Sequence, residues 1–121
     1  MRVLVVDDDQ VDRMAVRRHL AGIGVGVEVT EAESVLGAID RLTSGAFDCV
    51  LLDFNLPDGD GLTFLRGMRT AGVSVPVIML TGQADPSVTA DLMQAGAVDY
   101  IPKDTLSAAR LLQSLRLATA A

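Results

Sequence analysis

Short apolar runs rich in Val, Ile and Leu alternate with longer segments of helical period along the whole chain, and few folds accommodate that alternation. Residues 3–6, 27–30, 49–52, 75–80 and 98–101 read as strands, and residues 10–23, 34–44, 61–71, 86–95 and 106–118 as helices. This is the pattern of a parallel sheet covered by helices on both faces. Helix punctuation agrees with it. Asp85 can cap orphan amides, Pro86 suits the first helical position, and Gly96 can close the same helix. Five βα units account for all 121 residues, so the expectation is one domain over 1–121 without linker, low-complexity segment or second domain.

Composition narrows the function. Hydrophobic residues make up 50%, too many for a disordered chain, yet no apolar run approaches the ~20 residues of a membrane span. A net charge of -6 argues against direct binding of nucleic acid, which needs clustered Lys and Arg. The single cysteine, Cys49, lies inside an apolar run and reads as a small core residue, consistent with a reducing cytoplasm. Met1 and Arg2 lead straight into a strand, which leaves no room there for a signal peptide.

The stretch "CVLLDFNLPDGDG", residues 49–61, drives Asp53 onto the end of a strand that reads as fully buried. In an open parallel sheet, ligands gather outside the carboxyl ends of the strands. Those ends carry Asp7, Asp8 and Asp9 after the first strand, Asp53 on the third, Thr81 on the fourth and Lys103 after the fifth. Carboxylates crowded into one cleft repel unless protons or a cation neutralise them. Oxygen-only ligands select a hard ion, and Mg²⁺ takes one or two carboxylates while keeping places for water and a phosphoryl oxygen. Asp8 and Asp53 would be the direct carboxylates, the Asn55 carbonyl a third ligand, and Asp7 a partner through water. With that charge spread, Asp53 can act as a nucleophile and carry a phosphoryl group. Lys103 and the Thr81 hydroxyl would bind the remaining phosphoryl oxygens.

The set resembles the receiver domain of two-component response regulators, on the acid pair in "VLVVDDDQ", the acceptor in "LLDFNLPDGDG" with Pro57 and Asp60-Gly61, the hydroxyl in "VIMLTG" and the aromatic and lysine in "DYIPKD". The resemblance implies a flavodoxin-like, doubly wound five-stranded sheet of order 2-1-3-4-5 with five helices. It also implies phosphoryl transfer to Asp53 from a histidine kinase or phosphotransfer protein. Thr81 would then move toward the phosphate and Tyr100 turn inward, altering the face of helix 4, strand 5 and helix 5. That face would serve an output domain, a partner protein or a phosphorylation-dependent homodimer. The chain would promote its own phosphorylation and dephosphorylation without a separate substrate.

Each residue also has a plainer reading. Asp9 suits a helix cap, and Asp7 and Asp8 could cap the same helix. Asp53 could be a turn residue, Thr81 a capping hydroxyl before Gly82, and Tyr100 a half-buried strand residue. His19 reads as solvated surface, and Leu111, Leu112, Leu115 and Leu117 as core. A phosphatase of the haloacid dehalogenase type would want a second acid where Asn55 stands, and a flavin site would meet repelling charge at "DDDQ". A receiver-like module that binds partners without phosphorylation is the alternative, although it keeps an acceptor and a lysine it would not need. One departure from the family stands at Asp104, where proline usually follows the lysine. A cis bond before aspartate costs ~2.5–4 kcal/mol, so Lys103-Asp104 is expected to be trans, with Asp104 or Thr105 free to cap the last helix.

Overall fold

The computed structural model describes residues 1–24, 26–82 and 85–120. In chain order these form β1 (Arg2–Val6), α1 (Gln10–Ala21), β2 (Glu28–Ala32), α2 (Val35–Ser44), β3 (Cys49–Asp53), α3 (Gly61–Thr70), β4 (Val77–Thr81), α4 (Pro86–Gln94), β5 (Asp99–Pro102) and α5 (Ala108–Thr119). The strands make one parallel sheet of order β2-β1-β3-β4-β5, the order that the family resemblance implies. Between β3 and α3 a two-rung antiparallel ladder joins Asn55 to Asp60 and Leu56 to Gly59.

The pleat sends alternate residues to opposite faces, which is why the strands are apolar throughout. Leu4, Val6, Val50, Leu52, Val77 and Met79 pack under α2, α3 and α4. Val3, Val5, Cys49, Leu51, Ile78 and Leu80 pack under α1 and α5. Cys49 is fully buried, with its thiol pushed up to about 12 by burial.

Several boundaries depart from the sequence reading for local reasons. β2 runs on to Ala32 because the Glu31 carboxylate, at the sheet edge, is met by Arg13 and Arg17. β4 begins at Val77, since Pro76 has no N–H, although its carbonyl still accepts from Val50. Asp85 caps α4, and Gly96 ends it at φ +105. The last helix differs most. Lys103–Thr105 form a 3-10 turn, and Ser107, whose Oγ accepts from Arg110 N at 3.0 Å, caps α5. Asp104 and Thr105 therefore do not cap it, and the Thr105 hydroxyl donates instead to the Pro102 carbonyl. Leu111 and Leu115 are core, but Leu117 points to solvent, 55% exposed. His19 is half-buried rather than solvated. No described peptide bond is cis, Lys103-Asp104 included.

Candidate functional site

Parallel pairing aligns the strand ends that build the site. Val6 pairs with Leu52, and Asp53 with Leu80, so Asp7 leaves β1 beside Asp53 at the end of β3. β1 and β3 are the central neighbours at which the chain changes direction across the sheet, where a crevice opens. The cleft holds about 310 Å³ and is lined by Asp8, Asp9, Asp12, Asp53, Asn55, Leu56, Pro57, Gly82 and Lys103.

Asp7, Asp8 and Asp53 each offer a carboxylate oxygen, all within 4.8 Å of one another. Asp7 is fully buried, Asp53 almost so, and Asp8 exposed at the mouth. Asp7 Oδ1 accepts from Asp9 N at 2.9 Å, but buried Asp7 Oδ2 has no hydrogen-bond partner. Lys103 Nζ lies 3.1 Å from that oxygen, a charge contact without hydrogen-bond direction. Three oxygen donors around an unsatisfied buried oxygen fit a hard divalent cation with bound water. Asp9 caps α1, its Oδ1 accepting from Val11 N and Asp12 N.

Lys103 follows β5 and reaches over Asp53, its Nζ 3.2 Å from Asp53 Oδ1. The Asp53 carboxyl is pushed up to about 6, first by burial and then by the charge of Asp7, while Lys103 and the Asn55 N–H pull it partly back. Burial alone would lower the Lys103 ammonium, but Asp12, Asp7 and Asp53 outweigh it and raise it above its ordinary value. With a trans bond after Lys103, the ammonium still lies within 3.2 Å of Asp53 Oδ1.

Thr81 is buried at the end of β4 but lines a neighbouring cleft with Phe54, Asn55, Gly82, Asp85 and Val88. Asn55 and Gly82 border both clefts. Tyr100 is half-buried against the core under α4 and does not line the cleft that holds Asp8 and Asp53. Both of its edge-facing backbone groups are held: its N–H donates to Asp99 Oδ1, and its carbonyl accepts from Arg110 Nη2 at 2.9 Å. Burial raises the Asp99 carboxyl, but Arg110, Ser114 and the Tyr100 N–H outweigh it and leave it below the usual range.

Two residues of the site escaped the sequence reading. Asp12 stands outside the motif but accepts from Lys103 Nζ at 2.8 Å, across 91 positions of sequence that leave no local signal of the pairing. Arg13 is buried and donates to the Asp7 carbonyl at 2.8 Å while pairing with Glu31 and Glu33. It thereby fixes the end of β1.

Residues 3–116 match the family model described as response regulator receiver domain. The chain is 39% identical over 103 residues to the response regulator MprA of Mycobacterium avium (strain 104), covering 85% of this chain and 44% of that protein. It therefore spans less than half the length of the curated relatives it matches. A solved response-regulator structure from Chloroflexus aurantiacus J-10-fl superposes with a TM-score of 0.89 at 30% identity, covering 99% of this chain and 98% of the other. The NarL signal receiver domain from Mycobacterium tuberculosis gives 0.87 at 26% identity, covering 99% and 97%.

Proposed function

The chain belongs to the response regulator receiver domain family, and from that premise we propose that residues 1–121 are the phosphoacceptor switch of a two-component phosphorelay, with Asp53 as acceptor. The observation that carries the assignment of Asp53 is its position: a nearly buried carboxylate, flanked by two further acids, with an ammonium 3.2 Å from its Oδ1.

Asp8, Asp53 and the Asn55 carbonyl would hold Mg²⁺ directly, and Asp7 would reach it through water. Bound there, Mg²⁺ neutralises the clustered carboxylates and polarises a phosphoryl oxygen. A carboxylate raised to about 6 is mostly ionised at pH 7 and free to attack. An Asp53 oxygen forms a bond to phosphorus as the bond from phosphorus to a phosphohistidine nitrogen breaks, and the histidine leaves with its electron pair. Lys103 already lies where it can neutralise the new phosphoryl charge. Thr81 sits one cleft away, so its hydroxyl serves the product rather than the attack. Its movement would free room on the α4 side for Tyr100, changing the face of α4, β5 and α5. The donor would be a histidine kinase or phosphotransfer protein in the cytoplasm. The reader of the changed face would be an output domain, a partner protein or a second copy of the chain.

Intact mass after incubation with Mg²⁺ and acetyl phosphate tests the assignment. Wild type should gain one phosphoryl group, while Asp53→Asn gains none and Asp8→Ala little. Equal labelling of Asp53→Asn would place the acceptor elsewhere.

A further inference from the structure

Lys103 is the only lysine in the chain, and its closest partner is not the acceptor. Nζ lies 2.8 Å from Asp12 Oδ2 in a directed hydrogen bond, against 3.1 Å to Asp7 and 3.2 Å to Asp53. Asp12 belongs to the first turn of α1, whose cap Asp9 accepts its backbone N–H, so its carboxylate stands on a fixed base at the cleft mouth. It lies outside the trio of Asp7, Asp8 and Asp53 whose oxygens converge. We propose that Asp12 is the resting partner of Lys103, a positioning residue that holds the ammonium at the cleft mouth and competes with the phosphoryl group for it.

The competition follows from charge. A divalent cation among Asp7, Asp8 and Asp53 repels the ammonium and weakens its hold on the two carboxylates they share. The Asp12 carboxylate keeps its full charge and becomes the partner that remains. A phosphoryl group on Asp53 must then draw Lys103 away from Asp12, and this exchange lowers the net gain from the new contact. Asp12 would therefore make the phosphorylated state less favourable without touching the phosphoryl group. This rests on the phosphoacceptor reading of the site.

The single lysine makes the test clean. In protein labelled with ¹³C,¹⁵N-lysine, the one side-chain NMR signal reports the partner of Lys103 before any ligand is added. Asp12→Asn should shift that signal in the metal-free and Mg²⁺ forms, and Asp12→Glu should return it toward wild type. With Mg²⁺ saturating, Asp12→Asn should bind beryllofluoride, a non-covalent phosphoryl mimic, about two- to fivefold more tightly, the range of a half-exposed ion pair. In a Lys103→Ala background the same substitution should have no effect. The proposal is overturned by an unshifted lysine signal in Asp12→Asn, by unchanged or weaker beryllofluoride binding in a folded variant, or by equal tightening without Lys103, which would mean simple repulsion. If wild type bound Mg²⁺ but no beryllofluoride, the phosphoacceptor reading would fall, and the lysine signal would still decide whether Asp12 holds Lys103.

Discussion

Gly61 shows how closely the surroundings of Asp53 are packed. A Cβ there would lie 2.5 Å from the Asp53 carbonyl oxygen and 2.8 Å from Met79 Cε, while its own N–H donates to the Phe54 carbonyl at 2.6 Å. The backbone after Asp53 is thus wedged against the start of α3, and only a residue without a side chain fits. Gly61→Ala should destabilise the protein by roughly 1–3 kcal/mol, the usual cost of overpacking, and should also weaken Mg²⁺ binding by shifting residues 53–55. Urea unfolding and calorimetric titration of the same variant check the two effects, and full stability with wild-type Mg²⁺ affinity would show that the turn yields easily. The glycine was legible as part of a turn, and the acids, hydroxyl and lysine of the motif were legible from their places at strand ends. Arg13 was not, because its partners Glu31 and Glu33 are 18 and 20 residues away and nothing local marks the pairing.

Between elements, the least legible tie is the one that anchors the loop beyond Asp53. Asp58 Oδ1 accepts from Val35 N at 2.7 Å and Oδ2 from Leu36 N at 3.0 Å, so the loop carrying Asn55 caps the first turn of α2. Ser34 supplies the local cap by accepting from Gly37 N. α2 thus has two caps for different amides, one of them borrowed from residues 23 positions further on. Those two hydrogen bonds hold the Asp58 carboxyl below the ordinary range. Asp58→Ala should speed hydrogen exchange at Val35 and Leu36 several-fold, leaving Gly37 much less affected because Ser34 still serves it. Slower exchange at Val35 and Leu36 on adding Mg²⁺ to wild type would show that metal and α2 are linked through this loop, and that slowing should vanish in Asp58→Ala. Uniform exchange across all three amides in the variant would mean that α2 frays as a unit and Asp58 is not a local cap. Periodicity located α2 to within a residue; no pattern within α2 could reveal a cap from another element. The start of α5 was misread for the same kind of reason, since the choice among Asp104, Thr105 and Ser107 depends on where the turn after β5 aims the chain.

At the scale of the whole molecule, a parallel sheet brings every strand's carboxyl end to one edge, which is why the contents of the site could be read before their geometry. The same placement makes Asp53 a source of instability in the metal-free protein. Its carboxyl stands at about 6 in the folded chain against 3.8 for the unperturbed group, burial being the largest cause and Asp7 the next. Between those values the folded chain holds a proton that the unfolded chain has released. Asp53's contribution is therefore most favourable below pH 3.8 and is lost as pH rises through 6, a change of roughly 3 kcal/mol at most. Asp60 runs the other way: its carboxyl is lowered chiefly by the Thr63 N–H, so its contribution is present above the unfolded value and lost as pH falls. The total curve mixes these signs, but subtracting Asp53→Asn from wild type isolates the acceptor. Without Mg²⁺, urea unfolding should show wild type losing stability relative to Asp53→Asn between pH 4 and 7, so that the variant is the more stable protein at neutral pH. Mg²⁺ competes with the proton at Asp53, so its affinity for wild type should rise through the same window. At a fixed concentration ten times the dissociation constant at pH 7, it should add about 1.4 kcal/mol to wild type near pH 7 and markedly less near pH 5. A difference between wild type and Asp53→Asn that stays flat with pH would mean that the acceptor carboxylate is solvated in the folded chain. There would then be no charge crowding at Asp53 for a metal or Lys103 to relieve.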